Sequence, residues 1–166
     1  MIYIIDANNL AGKLEILFED DFDKKMVALM KKYFFNKGID VKLVFDSNDI
    51  MGDKFQEDNV EVVYTPRDNY YANADDKVLE LVKREISHGV GNGQITVVTD
   101  DLDLRALVQS FADKTNFRLN LVRSTDFAAR IRARENKENY DEADRGLSVS
   151  EEERINEELL GLWGGK

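Results

Sequence analysis

The chain has 166 residues, an apolar fraction of 43% and a formal net charge of −10, which suits one globular domain with a sizeable core. It contains no cysteine and a single histidine, so disulfides, thiolate metal sites and His-rich zinc sites are excluded. Oxygen ligands are left, and they favour Mg²⁺ or Mn²⁺ as the metal. The acidic charge disfavours nucleic-acid binding, although residues 135–166, with ten acids and four bases, carry more than half of it.

Short, β-branched apolar runs predict the strands of an α/β protein. The clearest is the unbroken run at residues 2–5, and the further predicted strands are residues 41–45, 60–64, 95–99 and 117–122. Segments with helical spacing of apolar residues lie at 19–37, 74–88, 104–111 and 126–134, whereas 10–18 is partly helical and 47–58 is polar and irregular. Strands that alternate with helices predict parallel pairing through right-handed crossovers. We therefore expect a three-layer α/β/α sandwich around a mostly parallel five-stranded sheet.

The last part of the chain changes character. Residues 1–134 form the predicted domain, 135–149 a charged linker, and 150–166 a C-terminal amphipathic helix that begins with a capping box. Its apolar face has three open uses: docking on the domain, binding a partner helix, or pairing with a second copy in a homodimer. Because no apolar stretch approaches membrane-spanning length and no signal pattern opens the chain, we expect a cytoplasmic protein without membrane contact.

Four aspartates follow four successive predicted strands. They are Asp6, Asp46, Asp75 and Asp101. Because the carboxyl ends of parallel strands meet at one edge of a sheet, these side chains are expected to lie together. Such carboxylates repel one another unless cations bind, which predicts one or two divalent metal ions and a phosphate-processing site. The alternative is a set of helix caps and loop acids, because acids are favoured at helix N-termini for the dipole alone.

These motifs carry a family resemblance. The opening I-D-A-N-N-L resembles the D-x-x-N start of the NYN branch of PIN-like nucleases, and three later acidic segments are similar to its remaining motifs. The four segments are residues 5–10, 44–47, 64–66 with 74–76, and 97–105. The YacP-like NYN subgroup looks most similar, and the ordered match covers roughly residues 1–130. The resemblance implies a PIN-like fold and metal-dependent cleavage of RNA that releases a 3′-hydroxyl and a 5′-phosphate.

The resemblance also implies roles for individual residues. The four aspartates fall on metal-binding and catalytic positions, Asp103 falls where many members carry a second acid, and Asn9 positions Asp6 or contacts substrate. Asp100 stands where the family usually has a small residue. The choice between Asp100 and Asp101 therefore stays open, as does the choice between Asp75 and its neighbour Asp76.

Substrate contacts are predicted around the acidic cluster. Tyr70 and Tyr71 stack on unpaired bases or, as the alternative, pack at the base of their loop. Lys77 and Arg105 lie one helical step from the proposed ligands and can touch a phosphate. Thr99 can bind a phosphate or a metal-bound water.

Two functions are carried forward. The leading one is a metal-dependent ribonuclease, in which a metal-activated water attacks the RNA phosphodiester. An endoribonuclease is expected, and the choice between endonuclease and exonuclease stays open. The alternative is a non-catalytic module of the same fold that binds RNA or associates with the ribosome. The low basic content favours this alternative, or a protein partner that supplies affinity for RNA.

Overall fold

The computed structural model describes residues 1–46, 53–66 and 73–144. In those residues the chain forms six strands and five helices. The strands are β1 (Ile2–Asp6), β2 (Asp40–Asp46), β3 (Asp53–Glu57), β4 (Val60–Thr65), β5 (Ile95–Val98) and β6 (Asn120–Val122). The helices are α1 (Ala7–Leu14), α2 (Phe22–Phe34), α3 (Ala74–Ser87), α4 (Leu102–Thr115) and α5 (Ser124–Asp144). No helix in the described part of the chain is long and apolar enough to cross a membrane.

One mostly parallel sheet forms the middle layer, in the order β3-β4-β2-β1-β5-β6. The central strand β1 pairs in parallel with β2 on one side and with β5 on the other. Helices α3 and α4 cover one face, where Ile4 of β1 packs in a buried cluster with Val78 and Leu104. On the other face Tyr3 contacts the rings of Phe34 and Phe127. The predicted α/β fold class is therefore confirmed.

The sheet has one strand more than the sequence predicted. The prediction that residues 47–58 are irregular is wrong for Asp53–Glu57, which pairs antiparallel with β4 as an edge strand. Every residue of β3 is exposed, so no alternation of buried and exposed positions marks it in the sequence. A two-residue turn, Asp58–Asn59, joins it to β4, and Asp58 adopts a positive φ of 53°. The Asp-Asn pair was the feature of the sequence from which this hairpin could have been predicted.

Helix ends also differ from the expectation. Helix α1 starts directly after Asp6, earlier than the partly helical segment predicted from residue 10. Helix α5 runs to Asp144, so residues 135–144 of the predicted linker are helical; their Glu, Lys and Ala content favours helix. The chain divides into two compact units, residues 1–129 and residues 130–166. The predicted C-terminal helix, residues 150–166, lies outside the described residues, and the predicted domain limits stay predictions.

Candidate active site at the carboxyl edge of the sheet

Strands β1 and β2 bring two aspartates to the same edge and face of the sheet. Asp6 pairs in register with Val44, two residues before Asp46. Since alternate residues of a strand point to the same face, Asp6 and Asp46 share a face. The N–H of Ala74 donates to Asp46 Oδ1 at 2.9 Å. This bond ties the start of α3, and with it Asp75, to the end of β2.

Asp6 is the buried member of the group, with only 7% of its surface exposed. Its Oδ1 accepts the N–H of Asn9 at 3.0 Å, and its Oδ2 accepts the hydroxyl of Thr99 at 3.1 Å. Burial raises the pKa of Asp6 to about 6, although both hydrogen bonds act to lower it. The negative charges of Asp75 and Asp46 raise the pKa further.

Asp75 and Asp101 complete the cluster. Burial raises the pKa of Asp75, and so do the charges of Asp101 and Asp46, followed by that of its neighbour Asp76. Asp101 caps α4, because its Oδ1 accepts the N–H of Leu104 at 2.8 Å. Carboxylates from four different segments of the chain therefore lie close enough to repel one another.

Helix capping explains part of this arrangement. Asp6 is the N-cap of α1 and Asp101 is the N-cap of α4, as the alternative interpretation requires. Capping accounts for the local contact of each carboxylate, but it gives no reason for Asp75 to lie where, in addition to burial, the charges of Asp101 and Asp46 raise its pKa. The capping contacts are thus present, and a bound cation as the reason why the carboxylates gather stays a prediction.

Two adjacent asparagines brace the strand ends on both sides of β1. The N–H of Asp46 donates to Asn8 Oδ1 at 3.0 Å, and the N–H of Asp100 donates to Asn9 Oδ1 at 3.3 Å. Because β1 lies between β2 and β5, the two side chains reach both neighbouring strands. Sequence reasoning singled out Asn9 and missed Asn8; the available signal was the pair of asparagines directly after the central strand.

Thr99 lies inside the cluster with no exposed surface. Its hydroxyl donates to Asp6 and accepts the N–H of Asp101 at 3.1 Å. The hydroxyl of Thr99 is thus engaged by two residues of the site, and its predicted contact with a phosphate or a metal-bound water stays a prediction. Arg105 Nη1 donates to the carbonyl oxygen of Thr99 at 3.2 Å, and Lys77 pairs with Glu80 at 2.9 Å. Phosphate contacts of Arg105 and Lys77 stay predictions.

Neighbouring aspartates point in different directions. The carboxylate of Asp100 binds Lys13 and Thr125 rather than the cluster. Of the two neighbours Asp100 and Asp101, it is Asp101 whose charge raises the pKa of Asp75. Asp76 and Asp103 are exposed in the first turns of their helices. Tyr70 and Tyr71 lie outside the described residues.

A family model described as the YacP-like NYN domain matches residues 3–160. The chain belongs to the YacP-like NYN domain family. This membership confirms the resemblance found in the sequence and places the chain among nuclease-like domains.

The fold of this YacP-like NYN domain is shared with a solved structure. The crystal structure of a mutant of Rae1 (YacP) from Bacillus subtilis superposes with a TM-score of 0.59 at 19% identity, over 91% of this chain and 88% of that chain. At this identity the likeness concerns the fold alone. No curated protein matches the chain.

The donors of the YacP-like domain suit a hard divalent cation, because Asp6, Asp46, Asp75 and Asp101 offer only carboxylate oxygen. As arranged in residues 1–46, 53–66 and 73–144, no three acidic or histidine side chains converge closely enough to hold a metal ion. A cation would therefore have to draw the side chains together. It would also offset the burial and, after it, the repulsion that raise the pKa values of Asp6 and Asp75.

Proposed function

We propose that this YacP-like NYN domain is a metal-dependent ribonuclease that hydrolyses RNA phosphodiester bonds, with Mg²⁺ or Mn²⁺ as cofactor. The observation that carries the proposal is the buried carboxylate of Asp6, which faces like charges at the carboxyl edge of the sheet and has its pKa raised to about 6. Membership of a nuclease-like family supports the same function.

A purely structural role does not require the charge of Asp6. The N–H of Asn9 needs only an acceptor, and an asparagine at position 6 would supply one without the cost of burying a negative charge among others. A carboxylate that is buried here in spite of this cost is suited to bind a cation, because the positive charge of the cation attracts the carboxylates that otherwise repel one another.

Each residue of the site has a distinct proposed task. Asp6, Asp46, Asp75 and Asp101 hold the cation, with Asp103 available at the exposed side. A divalent cation held by these carboxylates would supply activation of a water molecule and stabilisation of the leaving oxygen of the phosphodiester. Asn8, Asn9 and Thr99 keep the carboxylates oriented through their hydrogen bonds to the strand ends. Lys77, Arg105, Tyr70 and Tyr71 are the proposed RNA contacts.

A second candidate is a non-catalytic module that binds RNA or associates with the ribosome. The net charge of −10 and the separation of the carboxylates within the described residues favour it. A protein partner that supplies RNA affinity, and a homodimer formed through residues 150–166, are further proposals. Tight binding of a divalent cation separates the two candidates, because the module needs none.

The decisive experiment is cleavage of a mixed pool of single-stranded and structured RNA with Mn²⁺, Mg²⁺ or EDTA. We expect cleavage with either metal and none with EDTA. Asp6→Asn should lower the rate by at least about a hundredfold, because even residues that only orient metal ligands cost about 10–100-fold when lost. Asp113→Asn, the same change at an exposed aspartate near the C-terminal end of α4, is the matched control and should keep full activity.

Three results would count against the enzyme. Equal cleavage by wild type and Asp6→Asn would place the activity elsewhere. Cleavage that persists in EDTA would contradict metal dependence. No cleavage together with no metal binding by calorimetry would leave the binding module as the function.

A further inference from the structure

The carboxylate of Asp100, one residue before Asp101, is held by two other segments. Its Oδ2 forms an ion pair with Lys13 Nζ of α1 at 3.3 Å. The same oxygen accepts the hydroxyl of Thr125 at 2.5 Å and the N–H of Thr125 at 3.3 Å. Thr125 lies in the first turn of α5, where a negative charge also complements the helix dipole. All three contacts are charge-assisted, which makes them stronger than neutral hydrogen bonds.

The main chain of Asp100 is held as well. Its N–H donates to Asn9 Oδ1 at 3.3 Å. Helix α1 therefore contacts Asp100 through two side chains, those of Asn9 and Lys13. The side chain of Asp100 is only 19% exposed, and it is directed to α1 and α5 rather than to the acidic cluster. We call Asp100, Lys13 and Thr125 the latch.

The latch lies where the backbone leaves the sheet. Strand β5 ends at Val98 and α4 begins at Leu102, so residues 99–101 form the junction between them. The N–H of Thr99 donates to the carbonyl of Val122 at 3.2 Å, and the carbonyl of Asp101 accepts the N–H of Arg105 at 3.1 Å. The same three residues carry Thr99, which binds Asp6, and Asp101. Anchoring the middle residue limits the freedom of both neighbours.

On the basis of the proposed function, we infer that Asp100 is a positioning residue. Through its contacts with Lys13 and Thr125 it holds the junction between β5 and α4 so that Asp101 and the Thr99–Asp6 pair face a common cation. Asp100 itself is not a metal ligand. Loss of partners that orient metal ligands typically weakens metal binding about 10–100-fold, and the latch should act in that way.

The test compares Asp100→Ala, Thr125→Val and Lys13→Met with two references. Asp101→Asn is the ligand reference, and Asp126→Ala, an exposed acid in the same turn of α5, is the matched control. Mn²⁺ affinity is measured by calorimetry, RNA cleavage is measured at rising Mn²⁺ concentrations, and hydrogen exchange is measured for the amides of residues 99–104.

We expect Asp100→Ala to weaken Mn²⁺ binding about tenfold, with smaller losses in the same direction for the other two latch variants. Saturating Mn²⁺ should restore most of kcat, while KM for RNA stays unchanged, which a general loss of structure would not produce. Exchange at residues 99–104 should accelerate in the latch variants only. Thr125→Val is nearly isosteric, so it keeps the test valid if Asp100→Ala folds poorly.

Several outcomes would overturn the inference. If Asp100→Ala removes Mn²⁺ binding as completely as Asp101→Asn while Lys13→Met and Thr125→Val leave it intact, Asp100 is a ligand. If all three latch variants keep wild-type affinity and exchange, the latch positions nothing. If wild type neither binds Mn²⁺ nor cleaves RNA, the proposed function itself has failed, which is visible before any variant is made.

Discussion

At the scale of the residue, Asp6 shows how burial changes the chemistry of a common side chain. Its carboxylate lies at the end of the central strand, with 7% of its surface exposed, and two hydrogen bonds do not offset the loss of water. A rise in pKa from 3.8 to about 6 corresponds to about 3 kcal/mol between the protonated and the ionised forms. The metal-free protein is therefore strained at this residue near neutral pH.

This strain predicts a pH dependence of stability. Because the pKa of Asp6 is raised in the folded state, its stabilising contribution is complete below pH 3.8 and is lost as the pH rises through about 6. Relative to Asp6→Asn, metal-free wild type should lose about 3 kcal/mol over the whole range, and about half of that between pH 5 and 7.5. Urea denaturation of both proteins measures the difference, and parallel pH profiles would contradict the prediction.

At the scale of the element, a buried ion network joins α3 to the sheet. Lys42 of β2 is paired in register with Glu61 of β4, forms an ion pair with it, and contacts Glu85 of α3 at 3.4 Å. All three side chains are at most 13% exposed. The network holds the later turns of the helix whose first turn carries Asp75.

Removing the ammonium group of Lys42 should lower the free energy of unfolding. Lys42→Met leaves Glu61 and Glu85 buried without their common partner, and such losses typically cost about 3–5 kcal/mol. We expect the lower end of that range, because Lys54 also pairs with Glu61 and Arg84 contacts Glu85.

Chemical denaturation at pH 7 measures this loss. Lys114→Met, an exposed lysine of α4, is the control and should change stability little. Adding Glu85→Gln to Lys42→Met should recover part of the loss. A single variant as stable as wild type would show that the network contributes nothing to the attachment of α3.

At the scale of the whole molecule, the net charge of −10 and the acidic cluster make the stability of the folded state depend on cation concentration. A ligand that binds only the folded state stabilises it by about 2.7 kcal/mol at a concentration of 100 times Kd. Mn²⁺ should therefore raise the Tm of wild type and leave that of Asp6→Asn nearly unchanged. Salt also screens repulsion in an acidic protein, so NaCl at equal ionic strength is the control. An equal rise in both proteins would indicate screening instead of a site.

Much of the architecture was readable along the chain. The run Ile2 to Ile5 is short and apolar and ends at Asp6, and it forms the central strand of the sheet. The exposed edge strand Asp53–Glu57 was missed, because a strand that buries neither face leaves no hydrophobic period. Its pairing with β4 depends on backbone bonds, which any sequence can form.

The acidic site also has features that local sequence shows and features that depend on tertiary contacts. The residue types, the strand that each aspartate follows, and hence the gathering of carboxylates at one edge of a parallel sheet, could all be predicted from the sequence. The folded structure was needed to show that Asp101 and not Asp100 acts on Asp75, that Asn8 braces β2, and that Asp6 is buried with a raised pKa. Strand and helix periods are local, and a few residues suffice to show them. The direction and charge of a side chain depend on distant partners, such as Thr99, which binds Asp6 across 93 positions of the chain.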